Sequence, residues 1–338
     1  MALLLAGGAA WFSLRQTSWK VLGATLAHAE PAWLALALTT VLTTLVAKAV
    51  RWRVLLRPCG AQLGGMHILS VLIVGQMGNS LLPARLGDAA RAVLLSPQAK
   101  GGIPAVVGTL LAEKALDGLM GLLILSGLTL WTPAPAWLRY PVLALAALTG
   151  ALLVALVLSA TQRGWVARLG QGLPLPPPGG QGLASKLPAG WQEPARRLLA
   201  NLALGLGILR SPAAALQAVA LSGMIWGLAA LTNAAVAAAL DLQAPGWSYW
   251  LVLVTVYTVT FLPAVPAQVG LFEGACILAL TAAGLDREVA LAFGLALHLL
   301  VAAPLAILGP IAMAAEGLSW RGLKRAGHQL LQPDGNPG

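Results

Sequence analysis

The sequence predicts an all-α polytopic membrane protein, with about six transmembrane helices plus two re-entrant broken-helix hairpins in an inverted-repeat arrangement. Three observations carry this. Hydrophobic residues make up 58% of the 338 positions and charged residues only 9%, with a mean hydropathy of +0.81. Soluble domains carry about 25% charged residues, so a water-soluble core is excluded. Two apolar stretches break in the same manner, roughly 180 residues apart, as the two halves of an internal repeat would. Lysine and arginine gather in a few short segments rather than spreading along the chain.

The first broken stretch ends in GQMGNSLLPARLGDAAR, Gly75 to Arg91. An apolar run passes into Asn79, Pro83 and Gly87 and finishes with Arg85, Asp88 and Arg91. Pro83 removes a backbone donor and Gly87 weakens a helix. The second stretch is FLPAVPAQVGLFEG, Phe261 to Gly274, where Pro263 and Pro266 lead to Gly270 and Glu273. Within lipid, broken backbone survives only where protein buries it or where it lines a wet cavity. Paired breaks in two halves therefore point to a transport site between repeats.

A span needs about 20 apolar residues. Ala2 to Leu14 is a short first candidate; the N-terminus lacks the basic region of a secretory signal. Arg15 to Pro31 reads as interfacial, with Trp19 and Trp33 at belt positions. Ala32 to Val50 is a second span, with Lys48 near enough to its end to snorkel, and Arg51, Arg53 and Arg57 marking the cytoplasm behind it. Met66 to Leu95 is the first broken element. Ile103 to Trp131 is long and apolar but holds Glu113, Lys114 and Asp117. Pro141 to Ala160 is a span without charge.

The segment 161–197, rich in proline, glycine and basic residues, is a cytoplasmic linker. It divides a first half, 32–160, from a second, 198–315, within one integral membrane domain that covers 1–338. Leu198 to Leu209 is an interfacial helix or the start of the next span. Ala213 to Leu240 crosses the membrane, Ser248 to Gly284 is the second broken element, and Val289 to Ala315 is the last span. Residues 316–338 form a cytoplasmic tail. If each broken element enters and leaves on one side, both termini and every basic loop lie in the cytoplasm. The two halves then have opposite topology.

The charges inside the spans carry the functional argument. Each costs about 2.5–3.5 kcal/mol to insert, so they demand partners. Glu113 and Asp117 are four residues apart and share a helix face, with Lys114 about 100° round. Arg85 and Arg91 are the expected partners, because hairpin and helix are neighbours in sequence. Two roles stay open: ion pairs that brace the hairpin, or arginines that hold a phosphate through their planar fork while the acids orient them. Substrate-binding candidates are Arg85, Arg91, Asn79 and Lys114. Asp88, Glu113, Asp117 and Glu273 form the charge network or coupling set.

Glu273 either caps a half-helix N-terminus or carries a coupling proton. Asn79 and Gln268 satisfy freed backbone groups by default. His298 reads as a packing residue near the position matching Asp117. Cys59 and Cys276 are isolated, without CxxC spacing.

Several function classes fall away. The chain has no P-loop, no HExxH and no His/Cys cluster with metal spacing, so no ATP motor, metal or cofactor is expected. There is no nucleophile elbow and no soluble stretch long enough for a catalytic domain, so it is not expected to be an enzyme. The net charge of +10 follows from cytoplasmic loops rather than nucleic-acid binding, since no basic run carries a recognition module.

Four places resemble the membrane domain of the lysylphosphatidylglycerol synthases, also described as the flippase-like integral membrane family. They are Arg51-Trp52-x-x-Leu55-Leu56; Asn79-x-x-Leu82-Pro83-x-Arg85-x-Gly87-Asp88-x-x-Arg91; Glu113-Lys114-x-x-Asp117; and Pro263 through Gly270 to Glu273. Their order and separation agree with the family over nearly the whole chain, and the second is the most specific. The chain departs from the family pattern at Ala84, Asp88 and Lys114. The resemblance implies a bacterial inner-membrane protein that moves an anionic phospholipid or lipid-linked precursor between leaflets, with a lipid-synthesis enzyme as a possible partner. The soluble aminoacyl-transfer domain of the full synthases is missing, so lysyl transfer is not expected. Two alternatives stand beside the translocase: a secondary transporter of a soluble anion, and a non-transporting subunit that presents lipid to a separate synthase.

Overall fold

The computed structural model describes residues 23, 27–61, 63–81, 86–131, 140, 147, 149–151, 197–198, 200–260, 268 and 270–318. Pro83, Arg85, Pro263 and Pro266 lie outside them, as do the first candidate span, most of 141–160, the linker 161–196 and the tail beyond Leu318. Among the described residues every regular element is helical.

Among the described residues, eight α-helices of ten residues or more fall into two sets of four. The first set is α1 (Pro31–Leu56), α2 (Gly65–Leu81), α3 (Leu86–Leu95) and α4 (Gly102–Trp131). The second is α5 (Pro212–Ala239), α6 (Gly246–Thr260), α7 (Leu271–Ala282) and α8 (Arg287–Ala315). Their lengths run 26, 17, 10 and 30 residues, then 28, 15, 12 and 29. The starts of α1 and α5, and of α2 and α6, are both separated by 181 residues, and the last two pairs by four more. Both leading helices open with proline at N1, after an extended Glu30 or Ser211. That is where proline's fixed φ and missing donor cost nothing. Ser211 also caps α5, its hydroxyl accepting from the Ala214 amide at 3.3 Å.

α1, α5 and α8 are long and apolar enough to cross a membrane. α4 is as long but carries three charged side chains. The outer face of α1 shows the reason for its composition: Leu38, Leu42, Val46 and Val50 recur every four residues and are 38–50% exposed. Leu299, Ile307 and Ile311 do the same on α8 at 60–69%. A stripe of this size would be an aggregation surface in water and is a lipid-facing surface in a membrane.

α1 and α5 pack against each other along their whole length, and they run antiparallel. The Glu30 amide donates to the Ala239 carbonyl at 2.8 Å at one end, and Arg57 reaches Gln217 at 2.9 Å at the other. Between them the Thr40 and Thr232 hydroxyls are 2.8 Å apart. The sequence reading that these two spans run in opposite directions is matched by these contacts.

α2 and α3 form an antiparallel pair whose backbones touch. A side chain on Gly87 would collide with the Gly75 carbonyl, and one on Gly75 with the aliphatic stem of Arg91. The ends of the pair meet: the Lys100 amide donates to the Cys59 carbonyl at 2.9 Å, so the chain leaves the hairpin beside the point where it entered. α2 also packs on α8, with Met77 against Gly309 and His67 paired to Glu316 at 2.8 Å.

Two boundaries differ from expectation in an informative way. The span expected to end at Val50 continues to Leu56, because Arg51 turns inward, 1% exposed, while Arg53 stays on the surface. A charge that finds a protein partner does not have to end the helix. Residues 200–205 are helical but separate from α5, broken by the turn Gly207–Arg210, and they approach α4 closely through Gly205 and Gly108.

Candidate functional site

Charged side chains from α1, α3 and α4 converge within the first set of helices, and Arg51 among them reaches Ser222 of the second. Inserting Lys48, Arg51, Asp88, Arg91, Glu113, Lys114 and Asp117 unpaired would cost on the order of 20 kcal/mol. That exceeds the net stability of a typical domain, so pairing decides whether these helices assemble at all.

Arg51 donates through Nη1 to Asp117 Oδ1 at 2.5 Å and through Nη2 to Oδ2 at 3.3 Å, a forked pair. Its Nη1 also reaches the Ser222 hydroxyl of α5 at 3.0 Å, and Nη2 lies 3.7 Å from Glu113. Arg51 thus ties three helices, α1, α4 and α5, across the two sets. Arg91 donates to both oxygens of Glu113, at 2.9 and 3.4 Å, and lies 3.4 Å from Asp88. Its guanidinium stacks 3.9 Å above the Trp52 ring, a cation–π contact. Trp52 is in turn held by Thr109, which accepts from its indole at 3.2 Å. Lys114 sits 3.7 Å from Asp88 and keeps 19% side-chain exposure, against 1% for Arg51 and 2% for Arg91.

Asn79 near the end of α2 holds the start of α3. Asn79 donates from Nδ2 to Asp88 Oδ1 at 2.9 Å, and its Oδ1 accepts the Asp88 amide at 3.0 Å. That amide is one of the orphan donors at the start of α3, and no backbone carbonyl can reach it. Gly87 allows this approach, since a Cβ there would lie 2.5 Å from the Asn79 nitrogen. Asp88 in the first turn is also favoured by the helix dipole.

The second set has a plainer centre. Gly270 has φ of +81°, a conformation that suits glycine, and its amide donates to Glu273 Oε2 at 2.7 Å. Glu273 Oε1 lies 2.7 Å from His298 Nδ1, and the His298 ring stacks on Phe272 with centroids 4.5 Å apart. So Glu273 does cap its half-helix, and His298 is a hydrogen-bonded packing residue with a named partner. Its position matches Glu113 rather than Asp117, because both are the twelfth residue of their helices.

Arg91, Asn79, Asp88, Glu113, Lys114 and Asp117 are brought together with Gly87; Glu273 and Gly270 form a separate centre. Of the two expected partners of the helix acids, Arg91 pairs with Glu113, and Arg85 lies outside the described residues. Asp117 pairs instead with Arg51, 66 residues away, which the sequence placed among surface cations. The one available signal was the spacing of Arg51 and Trp52 along α1, which puts them on the buried side with Leu55. Among the described residues no three His, Cys, Asp or Glu side chains are grouped to hold a metal.

The helices and the buried ion cluster define a multi-pass, all-helical membrane protein. The family model for the lysylphosphatidylglycerol synthase TM region matches residues 1–309, and the chain belongs to that family. Neither a curated protein nor a solved structure matches it at a significant level.

Proposed function

We propose that the protein is a lipid translocase of the flippase type, which passes an anionic phospholipid or lipid-linked precursor between the leaflets of a bacterial inner membrane. The observation that carries this is the charge balance and depth of the ion cluster. Four cations, Lys48, Arg51, Arg91 and Lys114, face three carboxylates, Asp88, Glu113 and Asp117, so the described cluster has a surplus positive charge. Ser222 lies about 15 Å along α5 from Pro212, and Glu113 about 16 Å along α4 from Gly102, at 1.5 Å per residue. Half of a ~30 Å hydrocarbon core is the same distance. A surplus cation at that depth offers an anionic head group a place to pause between leaflets, while acyl chains stay in lipid.

The repeated helix order and the antiparallel α1–α5 pair support an inverted repeat, with the site between its halves. The joined ends of the α2–α3 hairpin support re-entry from one side. Arg53, Arg57 and Lys100 lie at that end, whereas Arg287 lies at the other, beside the acids Glu30, Asp241, Asp286 and Glu288. By the positive-inside rule the hairpin enters from the cytoplasm, and α8 ends on the same side. The protein works in this reading without a catalytic residue or cofactor of its own.

Leaflet exchange tests the reading. Purified protein in liposomes is given fluorescent phosphatidylglycerol, phosphatidylcholine or a polyprenyl-phosphate analogue, with Arg85→Ala and Lys114→Gln alongside. Exchange of an anionic lipid above empty liposomes, lowered in both variants, supports translocation. Absence of exchange for every lipid from folded protein overturns it in favour of a lipid-presenting subunit or a soluble substrate.

A further inference from the structure

We propose that Lys48 is the residue that binds the phosphate of the translocated head group. This rests on the lipid-translocase reading and names its contact. Among the described residues Lys48 alone of the cluster cations has no carboxylate within ion-pair distance: Arg51 is committed to Asp117 and Ser222, Arg91 to Glu113 and Trp52, and Lys114 lies near Asp88. The charges that act on Lys48 are nonetheless those of the cluster: Asp117, Arg51, Glu113 and Lys114.

Its direction follows from the helix. Val46 and Val50, in the lipid-facing stripe, are each about 200° round the axis from Lys48 at 100° per residue. Lys48 shares the opposite face with Thr44 and Arg51, four and three residues away, so it points to the interior and does not snorkel to the nearer surface. It remains partly exposed there, whereas Arg51 one turn on is enclosed. An ammonium on an inner face, acted on by the carboxylates of Asp117 and Glu113 but paired with neither, is the group an incoming anion meets first. Lysine suits this role because its compact charge takes a phosphate oxygen without needing a fixed fork. The arginines then act as a rigid wall that keeps the acids from claiming Lys48.

Two sources supply that phosphate chemistry, a lipid head group and free phosphate, and binding separates them. Wild type, Lys48→Met, Lys48→Arg and Arg53→Met are titrated in detergent with phosphatidylglycerol, phosphatidylcholine and inorganic phosphate, followed by tryptophan fluorescence, and each apo protein is melted. The expected result is loss of about tenfold in phosphatidylglycerol affinity for Lys48→Met, retention in Lys48→Arg and in Arg53→Met, and an apo melting temperature no lower than wild type. Removing an uncompensated inner charge relieves a cost, whereas removing a structural partner exposes one.

Unchanged phosphatidylglycerol binding by Lys48→Met overturns the proposal, and so does a lowered apo melting temperature, which would make Lys48 a partner of Asp117. Lys48-dependent binding of inorganic phosphate without phosphatidylglycerol binding overturns the lipid source. If Lys48-dependent lipid binding is found but wild type exchanges no lipid, the binding site stands and the translocase reading falls. If wild type exchanges lipid and Lys48→Met does so equally, the reverse holds.

Discussion

The third residue of α3 is Asp88, and the third residue of α7 is Glu273. Asp88 meets Asn79, Arg91 and Lys114, whereas Glu273 turns back to its own helix at Gly270 and to His298. The contrast repeats at every matched position. The sixth residues are Arg91 and Cys276, the twelfth residues of the long helices are Glu113 and His298, and the twenty-first residues of α1 and α5 are Arg51 and Thr232. One set of four helices holds the ions and the other holds neutral or locally satisfied groups in the same places. Only one of two sets of helices similar in order and length has to carry the expensive charges. The other can be optimised for packing, and it supplies the low-dielectric wall that makes the charges effective.

The largest expected effect comes from breaking the ionic half. Arg51→Leu leaves Asp117 buried without its forked partner and is expected to cost about 3–5 kcal/mol. The measurement is the thermal midpoint in detergent, and Arg51→Leu with Asp117→Leu should recover most of the loss. A small effect of the single change would mean that water reaches Asp117, and the cluster would then be wetter than its burial indicates.

Next comes the glycine contrast between the two return helices. Gly87→Ala pushes a methyl into the Gly75 carbonyl and is expected to cost about 1–3 kcal/mol by overpacking. Unfolding of both variants by the same method places Gly274→Ala against it. A Cβ on Gly274 meets nothing within 4 Å, so that change should be neutral or stabilise by up to about 1 kcal/mol through helix propensity.

A finer test separates the two carboxylates. Glu273→Gln retains an acceptor for the Gly270 amide, so we expect a stability change below about 1 kcal/mol and lipid exchange within about twofold of wild type. Glu113→Gln removes the charge opposite Arg91 and should reduce exchange more than tenfold while lowering the melting temperature. Loss of exchange in Glu273→Gln, with stability kept, would give the second half a coupling role and erase the contrast drawn above.

The smallest effect expected is at the rim. His67→Gln loses a partly exposed pair with Glu316 between α2 and α8. It should cost no more than about 1 kcal/mol in the thermal midpoint.

Hydropathy and breakers made much of this molecule legible along the chain. The run from Ile103 to Trp131 reads as long and apolar despite its three charges and lies in one helix, and Asn79 serves freed backbone as its position implied. These features are local: a residue's hydropathy, a missing donor or a cap acts within a few positions of itself. What the sequence could not decide is who pairs with whom. Arg51 stands beside Arg53 and Arg57 and reads with them as a surface cluster, and only the packing of α1 on α4 and α5 shows that it closes on Asp117 and Ser222. Lys48 reads as a snorkelling side chain until the lipid stripe and the cluster are placed on opposite faces of α1. A charge buried in a membrane is costly without a partner within a few ångströms. That distance is set by helix packing across 66 residues or more of chain, where no local pattern reaches.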